Sequence, residues 1–543
     1  MAQPLPVGDD GYRLHPSLFG MRLDMLCSSP RFSVLDVLDA YATCRQYDRL
    51  KYDWDGSMMG YAGEADISPG WYVPLKLRRP SSRFDLGRVI TRRLTAMALG
   101  EDSWPEISVE GDEQAEDFCK ALAAEAKLEI RFQEVRNKGG ACGTAVVSFA
   151  FVSGKPVVKV HEAKHMFALR WLDRDGHVLA AVLKTYRYTR TVFGLDGKPK
   201  EAVFYFARYW DQEAEVVWDP IPEEMAKTGQ WTTRVKSYQV RHGYGECPVY
   251  WAQNQPDSER EDGISDFDGL PETFDAVNRL LSATTKGTIA NVDPTLVIKD
   301  TPGNNPGVVR KGTDNAIFSP GGAEYLELRG DAVKTALQLA DNLIRYCLDT
   351  AGVVIGDPEK MGVKAQSAAA LKMLYLPMCN QADILRVQYG ELLVALLRGM
   401  LRAARLIGNA EPQPPMITQE GRQIQEQPSV VLPPRVDTDE AGTTTTVPRS
   451  PGTSDRIELK WPPYFAPTLT DVQAAVTAAT AAKGQLIGSR TAVKFTAGMF
   501  KVTDVENELA EIELERDRQA ELAGAGPFDP KAADESGSGE DGE

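Results

Sequence analysis

Only five of the 543 residues are histidine and seven are cysteine, and the cysteines (Cys27, Cys44, Cys119, Cys142, Cys247, Cys347, Cys379) form no CxxC pair. A zinc ribbon or a disulfide framework therefore has no support, and a reducing compartment is the simpler expectation. A Ser-His-Asp or Cys-His relay has few histidines to draw on. There is no G-x-x-x-x-G-K-[ST] phosphate loop, because Gly154-Lys155 and Gly197-Lys198 are each followed by proline. Energy from ATP would have to come from a partner. No apolar run approaches the ~20 residues of a membrane span, and "MAQPLPVGDDGYRLHPS" lacks a basic stretch leading into an apolar core. The expectation is a soluble protein, intracellular when made, with no cofactor. Basic residues are also in deficit: 61 Lys and Arg against 77 Asp and Glu give a net charge of -16. Binding nucleic acid by blanket phosphate neutralisation needs the opposite balance, so any such contact is local or weak.

The length suits roughly three or four domains at about 150 residues each. Residues 111 to 135 place Phe118, Leu122, Leu128 and Phe132 on one helical stripe, with acids in the first turns where the helix dipole favours them. From 144 onward, short β-rich runs ("TAVVSFAFV", "KPVVKVH", "HMFALRWL", "HVLAAVLKTYRYTRTVF", "AVFYFARYW", "EAEVVWD") alternate with turn signals and predict an antiparallel meander. Residues 1 to 260 thus read as a mixed α+β body. "SDFDGLPETFDAVNRLLSATTKGTIANVDPTLVIKD", residues 265 to 300, reads as a helix with Asp268 as N-cap and Pro271 in its first turn. A second helix, 331 to 353, carries Val333, Leu337, Ala340, Ile344, Cys347 and Ala351 at alternating steps of four and three. Each would be on the order of 30 Å long.

Between them, 291 to 330 offers three brief strands (Thr295 to Ile298, Asn315 to Phe318, Tyr325 to Leu328) with too few apolar side chains to bury a core of its own. Contact with another chain would stabilise such a tip. After the loop 352 to 366, a long helix begins near 367 and is expected to kink at Pro377. Residues 409 to 454 read as an irregular insertion or linker. A strand "RIELKW" and two helical stretches follow, the second opening on the capping box Thr503 to Glu506, before an acidic tail from 524 that is expected to be disordered.

Four motifs bear on chemistry. "HEAKH", His161 to His165, satisfies the zinc-peptidase pattern, but alternating β-like sequence surrounds it. On a strand the two imidazoles would stand about 13 Å apart, too far to share a zinc. A metallopeptidase is therefore the weaker alternative. "NKGGACG" lacks the strand-then-helix setting of a dinucleotide site and reads as a turn. Asp266 and Asp268 could pair on a metal, yet helix-leading carboxylates have a structural use already. Lys76, Arg78, Arg79, Arg83, Arg88, Arg92 and Arg93 form the one basic cluster, either a solvated or intersubunit ion-pairing face or a patch that meets nucleic acid.

Helix, small β tip, returning helix, loop and long helix occur here in an order that resembles the portal proteins of tailed double-stranded-DNA bacteriophages. The resemblance covers most of the chain. It is carried by "LPETFDAVNRLLSATTKGTIANVDPTLVIKD", like a stem helix entering the clip; by "KAQSAAALKMLYLPM", like the wing helix after a tunnel loop; and by "GQLIGSRTAVKFTAGMFKVTDVENELAEIELERD", like the turn and acidic helix near a portal C-terminus. "YDWDGSMMGY" and "LGRVITRRLTAMALG" also fit the N-terminal wing.

The resemblance implies a wing at 1 to 260, stem helices at 261 to 290 and 331 to 351, a clip at 291 to 330 and a tunnel loop at 352 to 366. It further implies a long kinked wing helix at 367 to 408 and a wing strand with crown-like helices at 455 to 523; the stretch 409 to 454 departs from the family pattern. It implies a non-enzymatic, dodecameric ring at one capsid vertex, through which a separate terminase motor packages DNA that is later ejected. The large terminase subunit, major capsid and scaffolding proteins and a head-completion or adaptor protein are the implied partners, with no membrane. Lys360 and Lys364 are expected to touch phosphates transiently, Asp357 and Glu359 to limit their grip, and Met361 to share that loop. Asn304, Asn305, Arg310 and Lys311 are expected to meet the terminase or adaptor. Another virion assembly protein, a connector or a scaffold, fits the length and element order less well.

Overall fold

The computed structural model describes residues 12 and 14–50, 52, 75–152, 154–173, 178–193, 198–292, 296–299, 316–319, 322–325, 331–355, 368–408, 416–417, 423–424, 430–438 and 444–465, with scattered helical positions beyond 472. The chain divides into two compact units, 1–363 with 373–462 and 364–372 with 463–543. The first is an α+β body.

Helices α1 (Leu23–Cys27), α2 (Pro30–Ala42) and α3 (Leu86–Leu99) come first. Ser29 caps α2 by accepting from the Phe32 amide, and Pro30 occupies the first turn, where no amide is needed. Strand β1 (Glu106–Val109) leads to α4 (Glu113–Glu125) and α5 (Leu128–Cys142). The single helix expected over 111 to 135 is thus two. Lys127 between them is left-handed, with φ 53°. Phe118 and Leu122 pack from α4, whereas Leu128 and Phe132 pack from α5, all four buried. "NKGGACG" is also not a simple turn: Gly139 and Gly140 lie inside α5, and only Gly143 turns the chain, with φ 79°.

The next strands are β2 (Thr144–Val152), β3 (Lys155–His161), β4 (Met166–Asp173), β5 (Val178–Phe193), β6 (Pro199–Asp211), β7 (Ala214–Trp218), β8 (Ile221–Pro222), β9 (Lys236–Arg241) and β10 (Val249–Gln253), with α6 (Glu223–Thr228) after β8. They form a nine-stranded sheet with the path β3-β2-β10-β5-β6-β7-β9, β4 adding to β5 and β8 to β6. Every pairing in it is antiparallel, but the order is not a plain meander, because β10 inserts between β2 and β5. Val249, Tyr250, Trp251 and Ala252 are all buried, as a strand covered on both faces requires. One sheet face packs Leu183, Tyr209, Val216 and Trp218 under Leu18, Leu23 and Trp231. The other packs Val182, Trp210 and Trp251 under Leu35 of α2 and Ala141 of α5.

Helix α7 (Pro271–Val292) follows. It begins at Pro271 rather than after Asp268, since the first helical bond runs from the Phe274 amide to the Leu270 carbonyl at 3.0 Å. Strands β11 (Leu296–Lys299), β12 (Ala316–Ser319) and β13 (Gly322–Tyr325) make a separate sheet in the order β12-β11-β13, with β11 and β12 parallel. The third strand lies three residues earlier than its sequence pattern suggests.

Helix α8 (Asp331–Thr350) returns along α7, and α9 (Ala368–Gly408) runs for 41 residues as one helix with Pro377 inside it. Its inner row includes Leu385, Tyr389, Leu392, Leu396, Met400 and Ala403, all buried. The ribbons β14 (Met416–Ile417) with β15 (Gln423–Ile424), and β16 (Arg435–Thr438) with β17 (Thr444–Val447), precede β18 (Ile457–Lys460). The last strand pairs antiparallel with β1. Arginines on α9 hold this returning chain: Arg386 donates to the Pro462 carbonyl, Arg398 to the Asp455 carbonyl and Arg405 to the Ser454 and Pro451 carbonyls. Asp112 closes the same seam. It caps α4 through the Ala115 amide and accepts from the Thr453 and Ser454 amides, and the Ser454 bond above all holds its carboxyl well below the ordinary aspartate range.

Candidate functional site at the base of the helical hairpin

Helices α7 and α8 are antiparallel neighbours. A Cβ placed on Gly287, late in α7, would lie 3.5 Å from Val333, early in α8. At its other end α7 is fixed to the body by polar groups at steps of three and four, one face of a helix. Tyr47 donates to Asp275 at 2.7 Å, and Asn278 donates to the Tyr47 hydroxyl at 2.9 Å while accepting from the Phe84 amide at 2.6 Å. Ser282 accepts from the Ser82 amide and donates to the Ser82 carbonyl, and Thr285 meets the Ser82 hydroxyl at 2.9 Å. Asn278 and Ser282 are wholly buried. Segment 82–84 therefore lies along α7 as an extra strip, bound through side chains.

Just before α7, Asp266 forms a bidentate pair with Arg136 of α5, at 2.9 and 3.0 Å and with neither side chain exposed. Burial works against the guanidinium charge, and the carboxylate beside it more than offsets this, so Arg136 is held as the cation. Asn254, at the end of β10, donates to Asp266 and accepts from Tyr389 of α9. The Asp266 amide bonds to the Gly140 carbonyl, and the Arg136 guanidinium lies over the Tyr389 ring. A Cβ on Gly140 would come within 2.0 Å of Arg136, and one on Gly139 within 2.0 Å of the Tyr389 hydroxyl. The two glycines are there to admit this joint. Asp266 is thus committed to Arg136 and Asn254, which leaves the Asp266 and Asp268 pair without a free metal-ligating set.

The basic cluster divides in two. Arg79 pairs with Asp48 at 3.5 Å, while Arg83 and Arg88 approach the carbonyl and the thiol of Cys44 beyond α2. Arg78 bridges to Tyr52, and Lys76 is exposed. Leu86, Ile90, Leu94 and Leu99 bury the inner side of α3, which leaves Arg88, Arg92 and Arg93 on the outer side. Arg92 and Arg93 have no ion-pair partner among the described residues. Residues 80 to 85 carry this face directly off the strip that docks on α7.

"HEAKH" is not on a helix with two turns in line. His161 ends β3, and Ala163–His165 form a single 3-10 turn. The two rings serve different neighbours: His161 meets Ser148 through Nε2 at 2.7 Å and Lys184 through Nδ1 at 3.2 Å, whereas His165 pairs with Glu162. Ser148, His161 and Lys184 have the connectivity of a nucleophile relay with the wrong third charge. A cation beside Nδ1 opposes the imidazolium that a general base must become. Burial, followed by Lys184 and Arg208, pushes the His161 pKa down to about 2, and burial lowers Lys184 to about 8.

His161 is thus neutral in the folded protein, whereas in the unfolded chain it takes a proton near pH 6.5. The unfolded state binds more protons between those values, so the stability contributed is complete above pH 6.5 and falls as pH drops below it. His161→Gln should make the stability profile between pH 6.5 and 4 shallower by up to about 1.4 kcal/mol per pH unit. Urea midpoints measured across that range check it, and parallel profiles for the two proteins would refute it.

The other expected contacts, Asp357, Glu359, Lys360, Met361 and Lys364 in the loop and Asn304, Asn305, Arg310 and Lys311 in the tip, lie outside the described residues. The sequence pattern did not single out the α7 strip, the Arg136–Asp266 joint or the Ser148–His161–Lys184 row. Only the polar residues at 275, 278, 282 and 285, at helical spacing, were visible as a signal.

No helix among the described residues is long and apolar enough to cross a membrane. No family model matches the sequence, and no curated protein matches it. Among solved structures, the chain is similar to a chain from the virion of a native gene transfer agent particle, at 13% identity and a TM-score of 0.32, over 76% of this chain and 88% of that one. A superposition that loose carries no functional inference.

Proposed function

We propose that the chain is the subunit of a portal: a passive, ring-forming conduit at one capsid vertex, through which a separate motor moves double-stranded DNA. The observation that carries this reading is the helical hairpin. Two helices, Pro271–Val292 and Asp331–Thr350, each roughly 30 Å long, flank a small sheet at the tip, and a 41-residue helix follows. Helix α8 leaves Leu339 and Tyr346 exposed on one side, while Ala340, Cys347 and Leu348 are buried. In a single chain that apolar face is costly, and a neighbouring copy would cover it. The net charge of -16 suits a wall along which DNA slides, because a wall that neutralised phosphates would hold the duplex through counterion release.

On this reading the segment between α8 and α9 faces the duplex and the tip meets the motor or adaptor. Deleting 356 to 362 should leave ring assembly intact and abolish or severely reduce packaged DNA per particle; packaging at the level of the intact chain would remove the loop from the mechanism. Reversing the charges of Arg310 and Lys311 should weaken pull-down of the terminase or the adaptor, and unchanged recovery of both would count against the tip as their contact. Zinc content separates the peptidase alternative: the conduit reading expects well under one zinc per chain and a melting temperature unmoved by chelators, whereas stoichiometric zinc would favour the peptidase.

A further inference from the structure

Strands β5 and β6 run well past the sheet that contains them. Strand β4 leaves β5 at the Met166–Lys184 pair, and β8 and β7 contact β6 only at Phe204 to Tyr205 and from Arg208 onward. Yet β5 and β6 continue pairing with each other out to Phe193 and Pro199. Among the described residues, no strand pairs with the outer edge of 186–193 or of 199–203, although the Arg187 backbone hydrogen-bonds the Cys27 thiol of α1. Nearer the sheet, Tyr205 and Val203 pack under α1 and α6, so the two-stranded arm that projects is Thr189–Phe193 with Pro199–Glu201, about 16 Å long. Isolated hairpins of that kind are marginal in water.

The composition of the arm and its root is not that of a solvated ribbon. On one face Tyr186 stacks on Phe206 at 4.9 Å and Tyr188 lies against Phe204 at 6.1 Å. Val192 continues that face, and Phe193 at the far end is 72% exposed. The arm and its root also carry Arg187, Arg190, Lys198 and Lys200 against one described acid, Glu201, in a chain whose total charge is -16. Basic and aromatic surface with two strand edges that no described strand pairs calls for an acidic polypeptide, since nucleic acid offers no strand backbone to satisfy those edges.

We propose that this arm clasps a second copy of the same chain, whose acidic surface supplies the complementary charge. An arm on one side and an acidic acceptor on another make a head-to-tail contact, the type that closes rings. The inference rests on the ring reading above and gives it a specific contact.

The test uses the full chain with Phe193 replaced by a photo-reactive phenylalanine analogue, beside the triple variant Arg187→Glu, Arg190→Glu, Lys200→Glu. The expected result is a ladder of covalent multimers on irradiation, and at least a tenfold loss of assembled protein in the triple variant with its melting temperature retained. Rings that form without chain-to-chain cross-links would overturn the arm and leave the conduit reading standing. Cross-linked dimers without rings would support the arm and remove the conduit reading. Monomers alone, both without and with scaffolding and capsid proteins, would overturn both, and cross-links to co-purified nucleic acid would overturn the arm as a protein clasp.

Discussion

Asp266→Ala is expected to lower the unfolding free energy by about 3–5 kcal/mol, the usual cost of removing one partner of a fully buried ion pair. The cost arises because Arg136, enclosed and charged, is left uncompensated, while Asn254 loses one of its two acceptors. Asp266→Asn should lose nearly as much, since an amide keeps the shape and one acceptor but not the charge. The double change Arg136→Met, Asp266→Leu should recover most of the loss, because an apolar pair of similar volume needs no compensation. Chemical unfolding midpoints measure all three. A loss for Asp266→Ala under about 1 kcal/mol would mean that the joint between α5, β10, α7 and α9 is held by something other than this pair.

The second large effect is expected at Asn278. It is wholly buried and serves two neighbours at once, the Phe84 amide and the Tyr47 hydroxyl. Asn278→Leu keeps the volume while leaving two buried groups unsatisfied, at about 1–3 kcal/mol each. A loss of about 3 kcal/mol is expected, with segment 82–84 released from α7. Hydrogen exchange at the Phe84 amide should rise by at least a hundredfold relative to the amides of β2. Unchanged protection there would show that the strip is held through Ser282 and the packing alone.

Periodic elements were legible because burial imposes its own repeat. The apolar steps of 270 to 281 and of 333 to 351 gave α7 and α8, and the alternating runs from 144 to 219 gave β2 to β7. The α4–α5 break was encoded too: the step from Leu122 to Leu128 is six residues, which no continuous helical stripe accommodates, and the αL residue Lys127 absorbs it. What could not be read was long-range pairing. Strand β10 is a short apolar run whose place between β2 and β5 depends on partners far off in the chain, Ser148 for Val249 and Val178 for Tyr250. Asp268 lost the cap position because the Ser265–Leu270 turn consumes the residues ahead of Pro271, with Asp266 drawn inward to Arg136. Gly139 and Gly140 looked like punctuation because their reason, the Tyr389 hydroxyl and the Arg136 guanidinium, lies on other turns and other helices.

The candidate site was legible only in outline. The basic residues from Lys76 to Arg93 stood out by composition, but their division into those tied to Cys44 and Asp48 and those facing solvent depends on how the segment before α3 and α3 itself pack on the chain after α2. "HEAKH" matched a pattern of letters, and the backbone decides against it, since a strand end and one 3-10 turn aim the two rings at different partners.

The most direct test of the central claim is the mass and symmetry of the purified full-length chain, by native mass spectrometry with negative-stain class averages, alone and in the presence of its scaffolding and capsid proteins. The conduit reading predicts a closed ring of a single cyclic symmetry with an open centre. A chain that stays monomeric in both conditions would contradict it.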